Sequence, residues 1–133
     1  MSRRKAVLPP SFSKPIGKYV PGMLIPLNQT KSLLFISGQV ATDEFGNTIG
    51  IDDPEAQSRM VFENLLKVLE ISGGNLEDLV SITIYVTDMK NFKKISKVRD
   101  EIFTNFAPCS TLIEVKGLAQ KEHLVEISAI AVI

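Results

Sequence analysis

The chain has 133 residues, in which 15 lysine and arginine residues balance 15 aspartate and glutamate residues. This length predicts a single domain over residues 1–133, and a hydrophobic fraction of 44% is typical of a globular chain. A net charge of zero argues against a dedicated nucleic-acid binder, and no apolar run reaches the roughly 18 residues of a membrane span. A single cysteine excludes internal disulfides and fits a reducing compartment. We therefore expect a cytoplasmic protein without a nucleic-acid or membrane partner.

The N-terminal segment combines basic residues with proline. Residues 1–22 begin with Ser2-Arg3-Arg4-Lys5 and contain four prolines. This composition predicts an extended arm over residues 1–15 with a solvated end. Three adjacent charges are too few to indicate a nucleic-acid-binding arm.

Two strands and a helix are predicted next. The apolar runs Met23–Leu27 and Leu33–Val40 indicate a pair of strands with a short connection. Asp53 is suited to cap a helix and Pro54 to its first position. The apolar residues that follow recur at helical spacing until Gly73-Gly74, which ends the helix.

The stretch Leu79–Thr87 alternates clearly and predicts a strand. One face, expected to pack under the helices, consists of Val80, Ile82, Ile84 and Val86. The other face carries polar side chains without charge, namely Ser81, Thr83, Tyr85 and Thr87. An uncharged polar face is unusual in water, so we expect another protein surface to cover it.

The remaining elements complete an α+β fold. A second helix is predicted from about Asn91 to Asn105, followed by strands over Thr111–Val115 and Leu124–Ile133. Both faces of the last strand are largely apolar, which predicts burial on both sides. The predicted order is ββ-α-β-α-ββ.

Few residues offer recognisable chemistry. The chain has neither a phosphate-binding glycine loop nor a Gly-x-Ser-x-Gly elbow, and one histidine with one cysteine cannot form a zinc site. We expect no metal and no cofactor. His123 lies in a polar turn and is interpreted as an exposed loop histidine, and Cys109 as a small buried hydrophobe or, alternatively, a reactive thiol.

Glu126 is the most informative charged residue, because it interrupts an apolar strand. A carboxylate buried there without a partner would cost several kcal/mol. Two interpretations remain open, a structural ion pair and a carboxylate at a functional site.

Four segments, in order over nearly the whole chain, carry a family resemblance. They are Ile16–Gly22, Phe35–Val40, the helix pairs Ala56-Gln57 and Glu63-Asn64 with the stretch Leu76–Asp88, and Glu114-Val115 with Val125–Ala131. Together they resemble the YjgF/RidA (Rid) family of reactive-intermediate enamine/imine deaminases. The resemblance implies a chorismate-mutase-like subunit, a homotrimer with a central barrel-like core, and ligands in clefts between subunits.

The resemblance also implies roles for particular residues. Glu126 matches the family glutamate that positions the attacking water, and Tyr19, Ser37 and Gly38 match residues that shape the cleft. Ser96 stands at the position of a helix asparagine.

The main departure from the family is at Ser110. Where the family has Pro-Ala-Arg, with the arginine gripping the carboxylate of a 2-imino acid, this chain has Pro108-Cys109-Ser110. A charge-assisted hydrogen bond contributes about 1.5–3 kcal/mol, so its loss predicts roughly ten- to hundredfold weaker binding.

Three functions remain as hypotheses. The first is a small-molecule-binding or hydrolytic Rid-family protein whose ligand differs from the usual 2-imino acids. The second is an imine/enamine deaminase with a relocated cation, for which Arg59 and Arg99 are candidates. The third is a nucleic-acid role, suggested by older family labels such as endoribonuclease and translation inhibitor, against which the balanced charge argues.

Overall fold

The computed structural model describes residues 4–15 and 17–133. Residues 1–3, at the start of the basic arm, and residue 16, the first of the segment Ile16–Gly22, lie outside the described residues. The elements are β1 (Lys5–Val7), β2 (Gly22–Pro26), β3 (Ser32–Gln39), α1 (Pro54–Ile71), β4 (Leu79–Val86), α2 (Phe92–Ile102), β5 (Cys109–Glu114) and β6 (Val125–Val132). The predicted α+β class and the ββ-α-β-α-ββ order are confirmed, and a short strand within the arm precedes them.

All the strands form one six-stranded sheet in the order β1-β2-β3-β6-β4-β5. Neighbouring strands are antiparallel, except that β4 and β5 run parallel. The C-terminal strand β6 therefore lies in the middle of the sheet. Helix α1 packs on β3 and β6 and against α2, so both helices cover the same face. Neither helix in the described part of the chain combines the length and hydrophobicity that crossing a membrane requires.

Helix α1 begins and ends where its local signals predict. The Asp53 side chain accepts a hydrogen bond from the Ala56 N–H at 3.0 Å, and Pro54 is the first helical residue. After the helix, Gly73 adopts a φ of +88°, which favours glycine, and the Gly74 N–H donates to the Leu69 carbonyl at 2.8 Å. These contacts provide hydrogen-bond partners for backbone N–H and C=O groups that have no partner within the helix at its two ends.

The core lies between α1, α2 and the covered face of the sheet. Fully buried side chains at its centre include Phe62, Leu65, Leu34, Ile84 and Ile127. On β6 the residues facing the helices are buried, whereas Glu126, Ser128, Ile130 and Val132 are half-buried on the opposite face. Within one chain, the burial predicted for both faces of this strand holds on one face only.

The prediction for Val80 is wrong, because β4 carries an irregularity at its start. Leu79 pairs with Ala131 and Ser81 with Ile130, so Val80 is an extra residue between two successive pairs. A bulge of this kind shifts the alternation of side chains. Leu79 consequently enters the core beside Ile82, and Val80 remains 46% exposed.

Cys109 is also placed differently from its prediction as a buried hydrophobe. It is the first residue of β5, an edge strand on which most side chains are exposed, and its thiol is free and exposed. Only one neighbouring strand flanks β5, which explains why this small apolar residue is not enclosed.

The bulge can be tested with the same substitution at two positions of β4. Val86→Ala removes buried methyl groups and should lower the free energy of unfolding by roughly 2 kcal/mol. Val80→Ala should lower it by less than half as much, because Val80 is largely exposed. Urea denaturation at one fixed protein concentration measures both changes. Equal losses would contradict the bulge and support regular alternation.

Candidate functional site

A cavity of about 440 Å³ opens where the N-terminal segment crosses the end of β3. Its walls also include one face of α1 and the loop that precedes β6. Among the predicted site residues, the cavity is lined by Tyr19, Ser37, Gly38 and Glu126. The other polar side chains that line it include Lys14, Asp43, Glu44, Asn64, Lys67, Gln120 and His123.

Ser37 and Gly38 lie at an irregularity of β3. The pairing of β3 with β6 shifts register between Ile36 and Gln39, so these two residues leave the regular ladder. The Ser37 hydroxyl donates to the Val20 carbonyl at 2.6 Å, and the Ser37 N–H donates to the Pro21 carbonyl at 2.8 Å. These bonds hold the segment that carries Tyr19 against the strand.

Gly38 makes room for the carboxyl group of Glu126. A Cβ atom added at Gly38 would lie 2.7 Å from Glu126 Cδ and 2.9 Å from its Cγ, closer than real contacts allow. A side chain at position 38 would therefore displace the Glu126 carboxyl group from its present position. The close approach of the two strands puts the Glu126 side chain over the Gly38 backbone and at the cavity wall.

Glu126 has no ion pair with any lysine or arginine among residues 4–15 and 17–133. Burial raises the pKa of its carboxyl group above the ordinary value, because the charged form is poorly solvated there. The structural ion pair considered from the sequence is not formed within the described chain. What remains is a half-buried carboxyl group at a cavity, which can accept or donate a proton.

His123 is buried, and its interpretation as an exposed loop histidine is wrong. Its side chain is 2% exposed, and its Nε2 lies 3.2 Å from Thr48 Oγ1. The reason is Gln57 on α1, whose amide donates to the Glu122 carbonyl at 2.8 Å and accepts from the Leu124 N–H at 2.8 Å. These bonds draw the polar turn onto the helix. Burial lowers the pKa of the His123 imidazole, and Glu122 opposes this effect.

Asn64 and Lys67 of α1 line the cavity, although the sequence analysis did not single them out as ligand-binding residues. The Asn64 amide donates to the Val40 and Thr42 carbonyls, at 3.1 Å each, and thereby fixes the chain after β3 to the helix. Lys67, one turn later, is half-buried and has no ion pair among the described residues. Asn64 and Lys67 are three residues apart on α1, and residues at this spacing share one face of a helix. The spacing could therefore have predicted that Lys67 lies on the same side of the helix as Asn64.

Ser96 and Ser110 do not line this cavity in the single chain. Ser96 is on α2, where its hydroxyl donates to the Lys93 carbonyl at 3.3 Å. Ser110 is exposed on β5 and pairs with Ile82.

The two candidate arginines are engaged elsewhere. Arg59 bonds Glu101 at 2.8 Å, and Arg99 bonds Asp100 at 3.0 Å. Neither guanidinium lines the cavity, whose basic side chains within the described residues are Lys14 and Lys67. No group of three or more potential metal ligands is gathered in the described part of the chain.

Comparison with known proteins agrees with this architecture. The family model for endoribonuclease L-PSP matches residues 11–133. The Rid-family protein YyfA from Yersinia pestis is 26% identical, with a TM-score of 0.86 over 98% of this chain and 99% of that one. The YjgF gene product of E. coli is 29% identical, with a TM-score of 0.82 over 96% and 98% of the two chains. E. coli TdcF with bound serine is 26% identical, with a TM-score of 0.83 over 97% and 98%.

The buried carboxyl group of Glu126 makes stability depend on pH. The folded chain binds a proton at Glu126 more tightly than the unfolded chain does, so stability falls as pH rises from 4.5 to the raised pKa and then stays level. We expect Glu126→Gln to increase the urea midpoint at neutral pH and to leave it almost unchanged below pH 4.5.

The matched control is Glu63→Gln on the exposed face of α1, which should change the urea midpoint little at either pH. A Glu126→Gln protein that is less stable than the parent at neutral pH would contradict this account of the carboxyl group.

Proposed function

The chain belongs to the endoribonuclease L-PSP family, also called YjgF/RidA, and we propose that it is a trimeric protein that binds a small metabolite at the cavity beside Glu126. One observation carries the proposal: the cavity gathers Tyr19, Ser37, Gly38 and Glu126, and no arginine of residues 4–15 and 17–133 lines it. We further propose that deamination of 2-imino acids is weak or absent.

The size and polarity of the cavity support a small ligand. Its volume of about 440 Å³ lies in the range of small-molecule sites. The solved structure of E. coli TdcF with bound serine indicates that a similar protein accommodates an amino acid. An amino-acid-sized polar molecule is therefore the proposed class of ligand.

The charges around the cavity explain why classical deamination should be weak. Ser110 offers a neutral hydroxyl in place of the family arginine, and Arg59 and Arg99 are occupied on the helices. A lysine ammonium is a point charge without the planar fork that holds a carboxylate with two bonds. Glu126 can still orient water, but the substrate carboxylate would be held less firmly.

A functional deaminase is the alternative, and Lys67 and Lys14 are the observation in its favour. Both line the cavity and lie outside the ion pairs of the described residues. Either could hold the carboxylate while water, oriented by Glu126, adds to the C=N bond and ammonia leaves. In that case the relocated cation would be a lysine on α1 or on the N-terminal segment.

The uncovered face of the sheet supports assembly into a homotrimer. A groove of about 390 Å³ crosses this face and is lined by Met23, Phe35, Ser81, Thr83, Ser128 and Ile130, among others. Phe35 is 40% exposed and Ile113 44%. Apolar side chains grouped on one open face are typical of a protein interface.

Light scattering tests the trimer directly. At micromolar concentration we expect three times the 14.7 kDa mass of the chain. Phe35→Lys should reduce the mass to that of the monomer, because it places a charge on the open face. Phe45→Lys is the matched control, since Phe45 is 77% exposed in a turn and does not line the groove on that face. A monomeric parent protein would refute the assembly.

A coupled assay that generates 2-imino acids and follows ammonia release tests the chemistry. We expect little activity in the parent protein and a gain of about tenfold or more for Ser110→Arg, because arginine restores a bidentate donor. Since Ser110 lies outside the cavity of its own chain, the gain should require the assembled protein.

Two further variants sharpen this test. Ser110→Lys supplies a positive charge without the planar guanidinium group, so its gain in ammonia release should be smaller. Adding Glu126→Gln to Ser110→Arg should abolish the gain in ammonia release. Robust activity in the parent protein would favour the lysine-based alternative. A folded, trimeric Ser110→Arg protein without any gain would show that the cleft differs at more than one residue.

A further inference from the structure

Lys67 brings a positive charge to the helical wall of the cavity. The residue lines the cavity and is half-buried on α1. Asn64, three residues earlier on the same helix face, is bonded to the Val40 and Thr42 carbonyls, so this face of α1 is fixed against the cavity wall. Side chains of an α-helix lean towards its N-terminus, which directs the Lys67 side chain towards the turn that holds Asn64.

The Lys67 ammonium group has no protein partner in the described part of the chain. Glu63 and Glu70 lie four residues before it and three residues after it on α1, but neither forms an ion pair with it. It also donates no hydrogen bond within residues 4–15 and 17–133. The buried side-chain nitrogen or oxygen without a partner there is His123 Nδ1 alone, so the Lys67 ammonium group is accessible.

Lys67 is not neutralised by the acidic groups that line the cavity with it. The Asp43 carboxylate is held in its own turn, where it accepts hydrogen bonds from two backbone N–H groups at 2.9 and 2.8 Å. Burial raises the pKa of Glu126, which favours the neutral form of this carboxyl group. Glu44 is exposed, so its charge is well solvated. The ammonium group therefore remains available to a negatively charged ligand.

Lys14 is the other lysine of the cavity wall within the described residues, and it is the less suitable of the two. Its side chain is exposed, whereas that of Lys67 is half-buried. Water and salt weaken the attraction of an exposed charge more strongly than that of a partly buried one. Lys67 also belongs to an 18-residue helix, and side chains on helices are held more precisely than side chains on loops. These differences favour Lys67 as the anion-binding residue.

We propose that Lys67 is a specificity-determining residue of this cavity, whose ammonium group binds the carboxylate of the ligand. The ligand is then a small organic acid rather than a neutral or cationic metabolite. The proposal rests on the proposed function in one respect, since both place a metabolite in the same cavity. It does not depend on turnover, because a carboxylate can be bound here whether or not a C=N bond is hydrolysed.

The test compares pyruvate with pyruvamide, in which a neutral amide replaces the carboxylate at nearly the same size. Binding to the assembled protein is followed by the NMR shifts of the Tyr19 and Gly38 backbone amides in a ¹⁵N-labelled sample. A charge-assisted hydrogen bond is stronger than a neutral one, so we expect the parent protein to bind pyruvate about tenfold more tightly than pyruvamide.

Three substitutions separate the charge of Lys67 from its packing. Lys67→Met removes the charge and keeps a long side chain, so pyruvate should bind about tenfold more weakly while the binding of pyruvamide stays unchanged. Lys67→Arg keeps the charge and should retain most of the affinity for pyruvate. Lys31→Met is the matched control, since Lys31 is exposed in the turn before β3, at the opposite end of this strand from the cavity.

The outcomes distinguish this inference from the proposed function. If Lys67→Met binds pyruvate as tightly as the parent protein does, or if the parent protein binds both probes equally, the inference is wrong and the cavity still binds metabolites. Equal losses of both probes in Lys67→Met would assign Lys67 a structural role instead. If neither probe shifts the cavity resonances of the parent protein at millimolar concentration, an amino-acid-sized ligand and the role of Lys67 are both refuted.

Discussion

The antiparallel pairing of β6 with both β3 and β4 is the constraint on which the rest of the structure depends. It places the C-terminal strand in the centre of the sheet, where Ile127 and its buried neighbours on one face meet the helices. The same strand presents Glu126 on its other face, beside the point where β3 leaves its register. Core packing and the position of the candidate catalytic carboxyl group are thus set by one strand.

This arrangement keeps a carboxyl group where packing alone would not favour one. Glu126 is half-buried, without an ion pair among the described residues, and its pKa is raised by burial. Because Gly38 has no side chain, the Glu126 carboxyl group can lie in the space that a Cβ atom at position 38 would occupy. Local conflicts with packing of this kind are expected at functional sites, because their chemistry requires groups that a plain core would exclude.

Features encoded by neighbouring residues could be predicted, whereas features created by distant pairing could not. The ends of α1 follow from Asp53, Pro54 and the glycines after it, all within one turn of the helix ends. The exposure of Val80 depends on how β4 pairs with β6, about fifty residues later in the chain. The short strand β1 gave no periodic pattern, because three residues are too few to show one.

Some residues of the candidate site could likewise be predicted from the sequence, whereas others depend on contacts between distant parts of the chain. Four residues inferred from the family resemblance lie together around the cavity, since they belong to the paired strands and the segment bonded to β3. His123 was misjudged because its exposure was inferred from the polar residues beside it, whereas Gln57 on a distant helix buries it. Lys67 was overlooked for a similar reason, because its relation to the cavity depends on the docking of α1 against β3.

Ser37 connects the cavity with the open face of the sheet, because it lines both the cavity and the groove on that face. Glu126 lies on that same face of β6, two residues before Ser128 in the groove. A subunit seated on the open face would therefore contact strands that also form the cavity wall. Any shift of β3 against β6 would alter the proposed interface and the surroundings of Glu126 together, so assembly and ligand binding are expected to be energetically coupled.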